Sequence, residues 1–178
     1  MTTIPTLETT HLTLRPLRAE DASVLHQLYQ DEGVLRYFPR TTPPPLENVL
    51  RFITNQAAHW EENGCGNLAI QLRGGNGEMM GWAGVELIPD TGETEVGYLL
   101  GRPYWGRGYA TQAALAVLRD GYNRLPVEQV IGLTHPENIA SQRVLEKCGL
   151  RYWDRKTYFG MEMCRYRVER ANFQRLAG

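Results

Sequence analysis

Little in this chain marks a specialised class of protein. It has only three cysteines in 178 residues, Cys65, Cys148 and Cys164, far apart and without a CxxC pair. A disulfide framework and a thiolate zinc site are not expected, and a reducing compartment suits the composition. No apolar run approaches the ~20 residues of a membrane helix. Met1 to Glu8 offers neither a basic n-region nor an apolar h-region, so no signal peptide and a cytoplasmic location are expected. Charge of one sign is not in excess: 19 Lys plus Arg against 20 Asp plus Glu leave a formal net charge of −1. That balance gives no reason to expect nucleic acid or a membrane as partner. The four histidines, His11, His26, His59 and His135, show no ligand pairing, and no metal site is expected. Repeats and long low-complexity segments are absent as well.

What remains is an ordinary globular mixture, 42% hydrophobic and 22% charged, of a length that suits one domain over residues 1–178. A domain near this size buries roughly 70% of its unfolded surface and folds without staples. His11–Leu17 alternates Leu12 and Leu14 with polar residues and reads as a strand. Ala19–Asp31 has helical spacing, and Leu46–Asn63 places Leu46, Val49, Leu50, Ile53, Ala57 and Trp60 on one face of a long helix, with Trp60 as core. Strands follow at Asn67–Arg73, Met79–Ile88 and Glu93–Leu100, separated by Gly- and Asp-rich turns. A helix over about Arg107–Tyr122, a strand at Glu128–Thr134, a helix over about Asn138–Cys148 and a hairpin, Leu150–Tyr158 with Met161–Val168, complete the reading. The order β-α-α-β-β-β-α-β-α-β-β predicts an α/β (α+β) fold with one mixed, mostly antiparallel sheet and a strand–helix–strand crossover in its middle.

The stretch from Glu95 to Thr111, EVGYLLGRPYWGRGYAT, carries the chemistry. A strand ends near Gly101, and a turn with Gly106 and Gly108 leads into a helix. Glycines there permit positive φ and close approach of a ligand, and the first-turn N–H groups with the helix dipole favour an anion. Arg107 adds a positive charge, and the small Ala110, Ala113 and Ala114 allow the helix to pack close to the sheet. Taken alone, a Gly-x-Gly turn is equally a plain strand–helix connection. It is not a Walker loop, because no Gly-Lys-Ser/Thr follows, and not a dinucleotide fingerprint, because a third glycine and a preceding βαβ unit are missing.

A second segment, His135-Pro-Glu-Asn-Ile-Ala-Ser-Gln-Arg-Val-Leu-Glu-Lys-Cys-Gly-Leu150, narrows the choice. With both segments the chain resembles the Gcn5-related N-acetyltransferase family, most closely its branch of ribosomal-protein N-terminal acetyltransferases. The resemblance runs from Leu12-Thr-Leu-Arg-Pro-Leu to Cys164-Arg-Tyr-Arg. The family's Gln/Arg-x-x-Gly-x-Gly/Ala pattern is matched by Trp105-Gly-Arg-Gly-Tyr-Ala110, with Trp105 in place of the basic residue. Its Asn-x-x-Ser helix and Glu-Lys-x-Gly-Phe are matched by Asn138, Ser141 and Glu146-Lys-Cys-Gly-Leu150.

The resemblance implies the acyl-CoA N-acyltransferase fold and acetyl-CoA as cosubstrate. Its pyrophosphate would lie on Gly106, Arg107, Gly108, Tyr109, Ala110 and Thr111. Its pantetheine would bond the backbone of Tyr98, Leu99 and Leu100 in a gap between two splayed parallel strands, opposite Asn138 and near Ser141. Asn138 can equally be a helix N-cap. Lys147 reaches a coenzyme phosphate or is a solvated charge.

Direct acetyl transfer to a primary amine then needs an N–H near Leu99 for the acyl oxygen. It also needs a proton for the thiolate, for which Ser141 is the candidate with Tyr152 or Tyr158 behind it, and a base. Some relatives carry a glutamate a few residues after the second motif; here Arg151-Tyr-Trp-Asp154 has none. Glu95 is the substitute, with Glu86 or a water relay as alternatives, and Glu95→Gln is then expected to lower turnover mainly at low pH. Tyr37, Phe38 and Tyr158 line the acceptor site or pack. The acceptor is a peptide or protein N-terminus or a small amine, and the protein a monomer or homodimer. A non-catalytic acetyl-CoA-binding sensor is the alternative.

Overall fold

A computed structural model describes residues 3–177. Met1 and Thr2, within the segment read as lacking a signal peptide, and Gly178, the end of the expected 1–178 domain, lie outside the described residues. Among the described residues, one sheet of eight strands organises the chain: β1 (Leu7–Glu8), β2 (Leu12–Pro16), β3 (Asn67–Leu72), β4 (Met79–Leu87), β5 (Thr94–Leu100), β6 (Gln129–Thr134), β7 (Arg151–Tyr158) and β8 (Met161–Glu169), in the order β1-β2-β3-β4-β5-β6-β8-β7. Every neighbouring pair is antiparallel except β5–β6. Five helices of the described residues flank it: α1 (Asp21–Gln30), α2 (Leu46–Asn63), α3 (Tyr109–Arg124), α4 (Ile139–Lys147) and α5 (Arg170–Ala177).

The alternation of each strand divides most of the apolar residues between two larger cores, with a smaller cluster at Ile88, Ile131, Tyr158 and Met163. Leu12, Leu14, Leu68, Ile70, Val85, Val96 and Val130 face α3, α4 and α5. Ala69, Met79 and Leu99 face α1 and α2. Ala113 and Ala114 are fully buried, and a Cβ on Gly121 would meet Val85 at 3.2 Å. Small residues thus set α3 close to the sheet. In α2, Val49, Ile53 and Trp60 are buried, but Leu46, Leu50 and Ala57 of the expected stripe are exposed. The helix offers a wider apolar arc than the sheet covers.

Three elements have no counterpart in the sequence reading: β1, a 3-10 turn at Arg102–Tyr104, and α5. A two-residue strand is shorter than any periodic window. The chain is tied into α5 by tertiary contacts, since the Arg170 guanidinium donates to the carbonyls of Tyr122, Leu125 and Val127 at 2.6, 2.6 and 3.0 Å, and the Phe173 ring packs against Tyr122.

Candidate active site

The single parallel junction is where the sheet opens. β5 and β6 are in register only at Glu95 and Ile131. Beyond that pair no ladder joins them, while β5 stays paired with β4 over its whole length. Strand alternation decides which backbone groups enter the gap. Gly101 N donates to Met80 O at 2.9 Å, which turns residues 101, 99, 97 and 95 toward β4. A Cβ on Gly81 of β4 would run into the Leu99 carbonyl oxygen, as that orientation requires. The expected Leu99 N–H is therefore directed away from the gap, and the Leu99 side chain is buried under α1 and α2. Tyr98 and Leu100 supply the backbone groups on the open side. Of these, Leu100 O already accepts the Trp105 indole N–H at 2.7 Å.

On the α3/α4 face the gap is lined by hydroxyls. The Tyr98 O–H lies 2.9 Å from Ser141 Oγ and 3.1 Å from Ser141 O, bridging β5 to α4. Burial raises the Tyr98 phenol above its ordinary value, so it stays protonated. Tyr98 therefore stands behind Ser141. Tyr152 packs edge-on against Tyr166 instead, and Tyr158 bonds Glu93. Asn138 is the N-cap of α4, its Oδ1 accepting Ser141 N at 3.2 Å, which leaves its Nδ2 to donate elsewhere. Thr134, the last residue of β6, has a buried hydroxyl without a hydrogen-bond partner among the described residues. A threonine ending an apolar strand gave no signal in the sequence.

At the mouth of the gap, Gly106 and Gly108 have φ of 73° and 77°. These left-handed conformations suit glycine. They end the turn and start α3 at Tyr109 rather than Arg107. Gly108 is the N-cap and brings no side-chain cap. The first intrahelical bond is Gln112 N to Gly108 O at 3.1 Å. The N–H groups of Tyr109, Ala110 and Thr111 thus lack intrahelical acceptors. Arg107 and, at the end of α4, Lys147 are exposed. An uncapped N-terminus with two glycines and no Cβ contact within 4 Å fits a diphosphate.

The opposite face is carboxylate-rich. Glu95 is half-buried and its carboxyl is pushed up to about 8, by burial first and by the charge of Glu86 second, against a Leu133 N–H that pulls it down. Tyr37 stacks on His135 at 5.3 Å, joining the α1–α2 segment to the end of β6. Phe38 packs on the α1/α2 core. Tyr158, expected at the acceptor, is only 4% exposed. Its O–H donates to Glu93 at 2.6 Å. Phe38 and Tyr158 are thus packing and network residues, a distinction that depends on contacts between distant strands.

Arg165 completes that network. It forms a bidentate pair with Asp154 at 2.7 and 2.8 Å, bonds Glu93 at 2.9 Å, and lies 3.7 Å from the Trp153 ring centroid. Arg165→Met is expected to lower stability near neutral pH, since it takes from Asp154 and Glu93 the guanidinium that pairs with both. The Arg165 hydrogen bonds hold Asp154 below its usual value. Glu93 is also held low, burial being outweighed by donors from Tyr158, Thr91 and Arg165. Groups with depressed values stabilise at higher pH, so the difference is full above about pH 4.5 and shrinks as pH falls through the depressed values. Urea titrations at pH 7 and pH 3 measure it; equal losses at both would refute the assignment.

Among the described residues no helix is long and apolar enough to cross a membrane. Residues 11–151 match the family model described as an acetyltransferase (GNAT) domain. An uncharacterized N-acetyltransferase, p20 of Bacillus licheniformis, is 31% identical over 144 residues, 79% of this chain and 79% of that protein. A solved acetyltransferase from Agrobacterium tumefaciens superposes with a TM-score of 0.81 at 29% identity, covering 94% of this chain and 96% of that one. RimL, a ribosomal L7/L12 alpha-N-protein acetyltransferase solved in complex with coenzyme A, superposes with a TM-score of 0.78 at 16% identity, over 93% of this chain and 98% of that one. At that identity the likeness is one of fold.

Proposed function

Because the chain belongs to the GNAT acetyltransferase family, whose members use acetyl-CoA, we propose that it transfers an acetyl group directly to a primary amine across the β5–β6 gap. The observation that carries the reading is the single Glu95–Ile131 pair between those strands. It leaves one opening with hydroxyls on one face and a carboxylate on the other. Acetyl-CoA supplies the acetyl thioester. The N–H groups after Gly108 hold its diphosphate, with Arg107 and Lys147 beside them. The open-side groups of Tyr98 and Leu100 and the Nδ2 of Asn138 orient its arm. A backbone N–H of Tyr98 or Leu100 takes the place assigned to Leu99 as donor to the acyl oxygen.

Glu95, directly or through water, accepts the amine proton. Ser141, backed by the Tyr98 hydroxyl, provides a proton at the sulfur. The acceptor is a peptide or protein α-amine or a small amine, reached past Tyr37 and His135. Peptide N-termini suit the site, since an α-amine with a value near ~8 needs only a comparable base. The likeness in fold to RimL is compatible with the ribosomal-protein branch. Action in the cytoplasm as one domain over 1–178, monomeric or homodimeric, completes the proposal.

The test is thiol release from acetyl-CoA with a panel of peptides, polyamines and aminoglycosides. Release that depends on an amine supports the proposal. Tight acetyl-CoA binding with no amine-dependent release across the panel would instead favour a sensor.

A further inference from the structure

Glu86 on β4 is the register partner of Glu95 on β5. In an antiparallel pair both side chains leave the same face, from Cα atoms roughly 5.5 Å apart. Two carboxylates so placed hold one negative charge far more easily than two. A third side chain, Gln56 of α2, decides between them. Gln56 is 7% exposed. Its Oε1 accepts Asn67 N at 2.8 Å, a bond that only the carbonyl end of the amide can make. The amide is thereby fixed with Nε2 toward Glu86, donating to Oε1 at 3.0 Å.

We infer that the Gln56–Glu86 pair is a positioning device for the reaction, fixing a negative charge opposite Glu95 so that Glu95 is the carboxyl of the two that takes up and releases the proton. This rests on the reading of Glu95 as the base. Glu93, two residues upstream and just before β5, is bound by Tyr158 of β7 and Arg165 of β8. β6 contributes the Leu133 N–H, which favours the charged form but does not overcome burial and Glu86. Tyr98 lies on the other face of β5 and stays protonated. Cys65, near Glu86, is pushed up to about 11 by burial first and Glu86 second, and so stays a neutral thiol. The raised value of Glu95 agrees with this arrangement, Glu86 being its second cause. Glu86 acts through Glu95 and is a positioning residue, and its removal has an unusual signature.

The experiment is the pH dependence of kcat for the wild type, Glu86→Gln and Glu95→Gln under saturating acetyl-CoA. In Glu86→Gln the rising limb moves about one pH unit to the acid side. Turnover at pH 6.5 then increases about five- to tenfold, while at pH 9 it stays within about threefold and the KM for acetyl-CoA is unchanged. A limb that stays at the wild-type position in Glu86→Gln, yet vanishes in Glu95→Gln, overturns the inference and leaves the base assignment standing. A limb that survives Glu95→Gln overturns the base assignment and the inference with it. A carbon-13 carboxyl titration of the wild type distinguishes the two carboxyls without substitution. The signal that moves at higher pH belongs to Glu95, and its assignment to Glu86 refutes the inference.

Discussion

Glu95→Gln should reduce turnover by about 10²–10³-fold at pH 9 and by much less at pH 6, within the range expected for removing a general base. An ordinary carboxylate would be ionised throughout that range and most needed at low pH, where the amine is most protonated. That is the sequence-level expectation of a loss mainly at low pH. Burial and Glu86 reverse it, because a carboxyl pushed up to about 8 is a base only when the pH approaches that value. Its stability effect has the matching sign. The group has a folded value above its unfolded one, so the folded state loses stability as pH rises from about 4.5 to about 8. The Gln variant should therefore melt higher than the wild type above pH 8 and nearly alike below pH 4.5. The check is a pH–rate profile beside melting curves at both extremes. A wild-type profile without a limb near pH 8 would leave no role for Glu95 as base.

Gly108→Val should weaken acetyl-CoA binding by about 10²-fold with the fold retained. Two effects act together. At a φ of 77° a β-branched residue is strained by about 1–3 kcal/mol, which pulls the turn away from the geometry that aims its amides outward. The isopropyl group also projects into the open space in front of the α3 N-terminus, where a Cβ meets nothing within 4 Å. Because that space is empty, packing is not disrupted and the melting point should fall by only several degrees. Gly108→Ala, which adds a single methyl, should be intermediate. Calorimetric titration with acetyl-CoA measures both. Wild-type affinity in the valine variant would show that this turn does not hold the diphosphate.

The sheet and most helices were legible because alternation and helical spacing are local signals, as in Leu12–Leu14 and in the Val49–Ile53–Trp60 stripe. The turn that opens α3 was legible because a glycine with positive φ leaves a mark in the sequence. Ser141 and Asn138 stood out through the resemblance of their segment to the family's Asn-x-x-Ser helix. Tyr98 as the partner of Ser141, and the unpartnered Thr134 hydroxyl, did not, since each follows from how β5, β6 and α4 meet. The same holds for Gln56, which is 30 residues from Glu86 in sequence.

The sequence by itself determined the order of the longer strands and of the first four helices, the glycine turn that opens α3, and the family to which those motifs belong. All are written in residue type and near-neighbour spacing. The tertiary structure alone decided which backbone amides face the gap, which carboxyl burial and a neighbouring charge push up, and which aromatic residues are packed between strands. Those outcomes depend on strand register, on the direction of alternate peptide groups and on the dielectric around a side chain, and each is set by residues far apart along the chain.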